Sequence, residues 1–537
     1  MLATEEYLMT IRRRDLMKLL PVAALPMPAL GQDTRSRTLR FVPSTSLVSL
    51  DPVMSTALVA VQHGYYVFDT LYGVDSQMRA KPQMAEGHEV SDDGLTWTIR
   101  LREGLRFHDG EPVRSRDCAA SLERWSRRDV YGRVYGAAVD RYETPDDRTL
   151  RIHLKRPFPL LVDAIGKPHS SPAFIMPERI VKAAPDTPIT EIIGSGPYRF
   201  LPDEFDSGNL VAYARFDGYK PREEAPEWTS GGKVAHFERV EWRVLPDNST
   251  AVAALQQGEV DWMENLPADL EPLAARNRNI RIENADPLGT ELVLRFNHTA
   301  APFNNPALRR FVLQIVKQVD YLATVTGGNP KAWQECRAMF PCPIPGVEEL
   351  GRDQFGRLAN DPKAMQEALK ATGYKGEKVV ILNPADSPAL APLGPVTAAL
   401  LQQAGMNVDL VDMDWGTLLQ RRMSKAPSDQ GGWSIYHSTW PSIAISNPVQ
   451  NTTLRGEGAK GWPGWYESAE MERLVSEWLS ATEAAEQSRL QTEIHRLALQ
   501  DVPTLPLGIY FPHTAYRTSL TGVLGGSVRY PWNVRRA

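Results

Sequence analysis

Between residues 376 and 436 the chain switches repeatedly between the two periods that distinguish strand from helix. Apolar runs at 378–382, 407–411 and 432–436 have the length and β-branched or aromatic content of buried strands. Between them, 391–404 repeats apolar residues at helical spacing and stops at Gly405, and 418–423 gives a shorter helix. Strand, helix, strand, helix, strand with short links predicts a parallel sheet covered by helices. Two more helices lead into it. Asn305 and Pro306 open one whose Leu308, Phe311, Val312, Ile315 and Val319 share a face and whose stop is Gly327. Asp361 and Pro362 open the other, closed by Gly373.

The earlier half has a different texture. Runs at 38–42, 95–101, 150–154 and 240–244 read as strands separated by turn signals. A helix over 250–257 stops at Gly258, and 260–262 restarts a strand. The segment from Val502 to the end is rich in proline and aromatics and needs a surface to pack on. These patterns predict an α/β protein of two lobes with mixed sheets. The first lobe is discontinuous, 32–288 plus 503–537, with an extra subdomain at about 76–192, and the second spans 289–502. A chain that crosses twice between lobes has the connectivity of a hinge.

An arginine pair, Arg13 and Arg14, is followed by Asp15, Leu16, Met17 and Lys18. A short apolar stretch broken by Pro21, Pro26 and Pro28 then ends at Ala29, Leu30 and Gly31. This order predicts a twin-arginine signal peptide over 1–31, beginning at Met1 or Met9, and a periplasmic mature protein. The stretch is too short to span a bilayer, which takes about 20 apolar residues. With 537 residues, 42% hydrophobic and 23% charged, the chain has the composition of a multi-lobed globular protein. Its net charge of −5, with signs interspersed, excludes a nucleic-acid-binding stripe.

Three cysteines are present. Cys118 reads as a helix core residue. For Cys336 and Cys342 two readings stay open, a small disulfide loop favoured by export or a pair of buried thiols. No CxxC, CxxH or HxxxH spacing predicts a metal site, and no cofactor motif is found. GxSxG, HExxH and a strand-to-helix GxGxxG are also missing, so the chain is not expected to be an enzyme.

Several blocks occur in one characteristic order. Leu50, Asp51 and Pro52 come first, followed by Val67-Phe68-Asp69-Thr70-Leu71-Tyr72. Pro82-Gln83-Met84-Ala85-Glu86 precedes Asp93-Gly94-Leu95-Thr96-Trp97, and Leu101 to Gly110 ends in Phe107-His108-Asp109-Gly110. Gly194-Ser195-Gly196-Pro197-Tyr198, Leu255 to Asp261, and Phe296-Asn297 with Pro302-Phe303 complete the series. In this order the chain resembles the family 5 extracellular solute-binding proteins, the peptide, dipeptide and nickel receptors of ABC importers. The resemblance runs from about Leu39 to the C-terminus. Bottom-up, Phe107 to Gly110 is a tight turn before a helix, and Gly194 to Tyr198 is a structural corner rather than a phosphate loop.

The resemblance implies a two-lobed periplasmic binding protein of type II, cluster C-like. It would be a monomer that closes on a peptide or peptide-like solute and presents the closed form to a membrane permease and its ATPase. It also implies crossing strands near 289–296 and 505–510. Relatives carry an Asp-Pro pair or a nearby Asp after the Gly-Trp strand, whereas this chain has Asn447 and Pro448, with no carboxylate between Trp433 and Asn451. A neutral amide cannot supply the ionic part of a charge-assisted bond to an ammonium group. Aromatic and hydroxyl groups stand there instead, and Tyr436, His437, Thr439, Trp440 and Trp465 are the candidate ligand contacts. The alternatives are a non-peptide solute such as a nickel chelate, opine or glycoside, or a periplasmic sensor or chaperone on the same fold.

Overall fold

The computed structural model describes residues 36–245, 247–344 and 346–537. The signal peptide expected at 1–31 lies outside the described residues. Thr38–Ala537 packs as one unit around three principal sheets. The first has seven strands in the spatial order Tyr198–Phe200, Leu210–Arg215, Arg239–Arg243, Thr38–Val42, Trp262–Met263, His513–Arg517, Ile280–Asn284. Thr38–Val42 runs parallel to both of its neighbours and every other pairing is antiparallel, so the sheet is mixed. Buried aromatics fill one side of it: Tyr66 meets Trp242 edge-on at 5.1 Å between ring centroids and Tyr213 at 4.8 Å.

An antiparallel sheet of four strands, Ala85–Val90, Thr96–Leu101, Thr149–Leu154 and Val139–Glu143, falls within 76–192. It packs with helices Ser115–Ser126 and Val130–Ala138, and Cys118 is fully buried as expected. The third sheet has six strands in the order Trp333–Gln334, Thr504–Tyr510, Thr290–Phe296, Ile435–Pro441, Val379–Pro384, Val408–Met413. The predicted parallel series is present, with Val379–Pro384 parallel to both of its neighbours.

Three expectations shift. Helix 306–327 is two helices, Pro306–Ile315 and Gln318–Val325, with Val316 and Lys317 extended between them. The break is held by Gln318, whose side-chain amide donates to the Cys336 carbonyl (2.6 Å) and accepts from its N–H (2.6 Å). Secondly, the strand expected at 432–436 runs over Ile435–Pro441, because Thr290–Phe296 pairs with it along its whole length. His437, Thr439 and Trp440, taken as loop residues, are strand residues. Thirdly, Thr504–Tyr510 pairs inside the six-stranded sheet, so the chain rejoins the seven-stranded sheet at His513 rather than at 503. Cys336 and Cys342 are disulfide-bonded, which settles the two open readings in favour of the small loop.

Candidate functional site

Two connections carry the chain between the seven- and six-stranded sheets. Residues 285–289 link Ile280–Asn284 to Thr290–Phe296, and residues 511 and 512 link Thr504–Tyr510 to His513–Arg517. They run side by side, the Ala285 N–H donating to the Pro512 carbonyl at 2.8 Å. Gly289 sits at φ +68, and a Cβ there would stand 2.6 Å from Cγ2 of Ile509 and 2.9 Å from the Tyr510 carbonyl oxygen. Only glycine permits this approach. The loop after Ile435–Pro441 joins the crossing, with the Ser442 N–H on the Gly289 carbonyl at 3.0 Å. Ile443 from that loop, and Ile344 just beyond the disulfide, insert into the aromatic core of the seven-stranded sheet.

On the side of the seven-stranded sheet the crossing is lined by buried charge. Glu264 accepts the Ser44 N–H (2.6 Å), Asp286 the Leu288 N–H (3.0 Å), and Arg529 donates to the Ala285 carbonyl (2.6 Å). Burial pushes the Asp286 carboxyl up to about 6 against the opposing pull of the Leu288 N–H and Arg529. Burial lowers Arg529, with Glu264 and Asp286 countering. Oε1 of Glu264 and Nε of Arg529 are sealed from solvent without a hydrogen-bond partner among the described residues, and the Tyr530 hydroxyl is sealed beside them.

On the side of the six-stranded sheet, register decides which residues share a face. Glu291, Val293 and Arg295 stand opposite Trp440, Ser438 and Tyr436. Arg295 is fully buried and donates to the carbonyls of Pro463 (3.0 Å), Thr453 (3.0 Å), Pro503 (2.9 Å) and Trp462 (3.3 Å), and to the Thr504 hydroxyl (2.8 Å). Its guanidinium lies 4.8 Å from the centre of the Trp462 ring, and Trp462 meets Trp440 edge-on at 5.6 Å. Arg295 thus stitches the 453–465 segment to the sheet and sets one aromatic wall. Burial lowers its guanidinium to about 10, so it stays charged at neutral pH.

The five predicted contacts separate by strand face and depth. Tyr436 is fully buried, its hydroxyl on the Pro463 carbonyl at 3.1 Å and its ring against Trp433 and Trp462. Trp465 packs in the same cluster beside Trp433. His437 points to the opposite face, its Nε2 2.8 Å from the Thr397 hydroxyl, which is 3.0 Å from that of Tyr321. Burial drives the His437 imidazole down to about 3, leaving it neutral. Thr439 and Trp440 are half-buried at the end of the strand near the crossing. Asn447 is engaged within its own loop, its Oδ1 accepting the N–H groups of Val449 and Gln450 at 3.1 Å each.

The most unusual group was not among those predictions. Glu291 is 1% exposed, its Oε1 is sealed from solvent, and among the described residues no hydrogen bond or ion pair reaches its carboxyl. The Nε1 of Trp440 and the hydroxyl of Ser442 are likewise buried and unpartnered. A glutamate within a mostly buried crossing strand, four residues before Arg295, was the available signal, since a buried carboxylate needs a partner.

The family model of bacterial extracellular solute-binding proteins, family 5 Middle, matches residues 79–461. A probable peptide ABC transporter periplasmic-binding protein, y4tO of Sinorhizobium fredii, is 36% identical over 98% of this chain and all of its own length. Two solved structures superpose at TM-score 0.76 and 20% identity. One is the periplasmic binding protein DppA of Helicobacter pylori with the peptide STSA, covering 94% of this chain and 99% of that one. The other is AgaA of A. tumefaciens R10 with agropinic acid, covering 93% and 99%. Such likeness establishes the fold, a two-lobed type II periplasmic binding protein.

Proposed function

We propose a transport role from one premise: the chain belongs to the family 5 bacterial extracellular solute-binding proteins. It captures a peptide or peptide-like solute in the periplasm, closes about the paired crossings at 285–289 and 511–512, and delivers the solute to the permease and ATPase of an ABC importer. The observation that carries this reading is the full-length 36% identity to a relative named as a probable peptide ABC transporter binding protein. Binding without covalent chemistry is its whole task.

Closure demands differential affinity. Shifting an open–closed equilibrium from 1:99 to 99:1 takes about 5.5 kcal/mol of preference for the closed state. An extended peptide supplies this through main-chain hydrogen bonds, while bridging waters let its side chains vary. The buried polar atoms of Glu264, Arg529, Tyr530, Glu291, Trp440 and Ser442 support a solute carrying several polar groups.

The test is native mass spectrometry of the protein purified from its own periplasm, followed by a thermal-shift panel of di- to pentapeptides. Co-purified peptide, with a melting temperature rising with peptide concentration, is the expected result. A different co-purified solute together with a flat peptide panel overturns the peptide assignment. The second reading, a non-peptide solute, is favoured by the Asn447 loop, which places no carboxylate where an amine anchor is expected. We also propose export by the twin-arginine route; normal processing of an Arg13→Lys, Arg14→Lys variant would reject it.

A further inference from the structure

Three unpartnered polar groups stand on neighbouring backbone positions where the six-stranded sheet leaves the crossing. In strand register Glu291 stands directly opposite Trp440 and beside Ile509, and Thr290 stands opposite Pro441. The Ser442 backbone is pinned to Gly289, two residues before Glu291. On these neighbouring positions Oε1 of Glu291, Nε1 of Trp440 and Oγ of Ser442 are all removed from solvent and all without a hydrogen bond among the described residues. A buried carboxyl with no donor carries a large desolvation cost, and native structures retain such a group where something outside the chain satisfies it.

The donor and acceptor set is asymmetric and therefore informative. Ionised by a neighbouring cation, Glu291 offers an anionic acceptor and Ser442 a hydroxyl acceptor, whereas Trp440 offers a single N–H donor. An ammonium group satisfies the first two, and a carbonyl oxygen three bonds from its nitrogen satisfies the third. The edge-on Trp440–Trp462 pair adds an aromatic wall beside the cation. Arg295, on the same strand face, is fully occupied by carbonyls and the Thr504 hydroxyl and leaves Glu291 unneutralised. Burial alone pushes the Glu291 carboxyl up to about 8, with no protein cation holding it down. The Asn447 loop, meanwhile, has no carboxylate to offer.

We infer that Glu291, with Ser442 and the indole N–H of Trp440, forms the subsite that anchors a solute's α-ammonium group and its adjoining carbonyl. The inference rests on the solute-receptor reading and deepens it: the solute has a free aminoacyl end, and that end lies beside the crossing strand at Glu291 rather than at Asn447. Glu291 is then a specificity residue, because the closed site rejects ligands that leave its carboxyl unpaired.

The test uses three probes on the mature full-length protein: trialanine, N-acetyl-trialanine, and glycinamide, a small compound with one ammonium and one adjoining carbonyl. Binding is read by calorimetry and thermal shift for wild type, Glu291→Gln and Trp440→Phe, with the melting curve of each empty variant confirming that it folds. Trialanine should bind wild type and lose about ten- to hundredfold in affinity on acetylation or on Glu291→Gln. Trp440→Phe, which keeps the ring and removes the N–H, should lose about three- to tenfold. Equal binding of free and acetylated trialanine, or Glu291→Gln binding like wild type, overturns the subsite and leaves the peptide receptor standing. Glycinamide that binds wild type but not Glu291→Gln, with trialanine binding neither, upholds the subsite and overturns the peptide assignment. No binding of trialanine or glycinamide to wild type overturns both.

Discussion

The ion pair between Asp51 and Arg124 should be indispensable to the folded chain, and its cost of removal can be worked out beforehand. Asp51 belongs to the early Leu-Asp-Pro block and Arg124 to helix Ser115–Ser126. Their closest approach is 2.6 Å, with side-chain exposures of 1% and 3%. The carboxylate also accepts the N–H groups of Val53 and Ile189 at 3.0 Å each. The guanidinium also donates to the carbonyls of Ala184 and Thr187 at 2.8 Å each. Asp51→Ala leaves a buried cation with only two carbonyls and orphans two N–H groups, a loss of about 3–5 kcal/mol. Arg124→Met leaves a buried carboxylate on two N–H groups, a loss of similar size. In the double variant neither charge is stranded, so its cost should fall short of the sum by about 2 kcal/mol or more.

The assay is urea unfolding of the ligand-free protein, followed by tryptophan fluorescence and far-UV circular dichroism. Coincident transitions license a free energy, and an unchanged slope shows that only stability has moved. Single-variant losses below about 1 kcal/mol, or strict additivity in the double variant, would refute the reasoning that burial and pairing make this block structural.

Three further outcomes are expected. In Gly194→Ala the new Cβ would stand 2.0 Å from the Val67 carbonyl oxygen, so this variant should fold poorly, while Gly208→Ala, whose Cβ meets nothing within 4 Å, should stay within about 0.5 kcal/mol of wild type; equal melting temperatures would sink the close-packing argument. Replacing both Cys336 and Cys342 by Ser should cost about 2 kcal/mol, the loop-closure value for so short a ring, and dithiothreitol should lower the wild-type melting temperature but not that of the variant. Glu291 is raised from 4.5 to about 8 by folding, so its contribution is complete below the unfolded value and is lost as pH climbs through the folded one. Between pH 5 and 8.5 the empty wild type should therefore lose about 3–4 kcal/mol relative to Glu291→Gln; parallel pH profiles would contradict the burial of an unpaired carboxyl.

The sequence blocks were legible as a family pattern, and the structure explains why they travel together: they hold one another. His108 donates from Nε2 to the Gly196 carbonyl (3.0 Å), and its backbone N–H donates to the Gly194 carbonyl (2.8 Å). The Gly196 N–H in turn reaches the Val67 carbonyl (2.8 Å), so the turn, the glycine corner and helix Leu58–Val67 form one knot. Asp69 is buried on Lys233 at 2.7 Å, and Asp109 pairs with Arg179 at 2.9 Å. Helix ends were readable because their signals are local: Asp361 caps Lys363 and Ala364, and Gly258 closes its helix at φ +74. The proposed solute contacts were only half readable because strand register places them. Tyr436, His437 and Trp440 are close neighbours in sequence, but antiparallel pairing with Thr290–Phe296 sends His437 to the opposite face and leaves Trp440 at the strand's crossing end. The same register sets Glu291, from a segment read only as a hinge strand, opposite Trp440. Under the proposed subsite, specificity is a property of strand pairing within the six-stranded sheet, and a change that slipped Ile435–Pro441 by one residue would move Trp440 away from Glu291 without a substitution at either position.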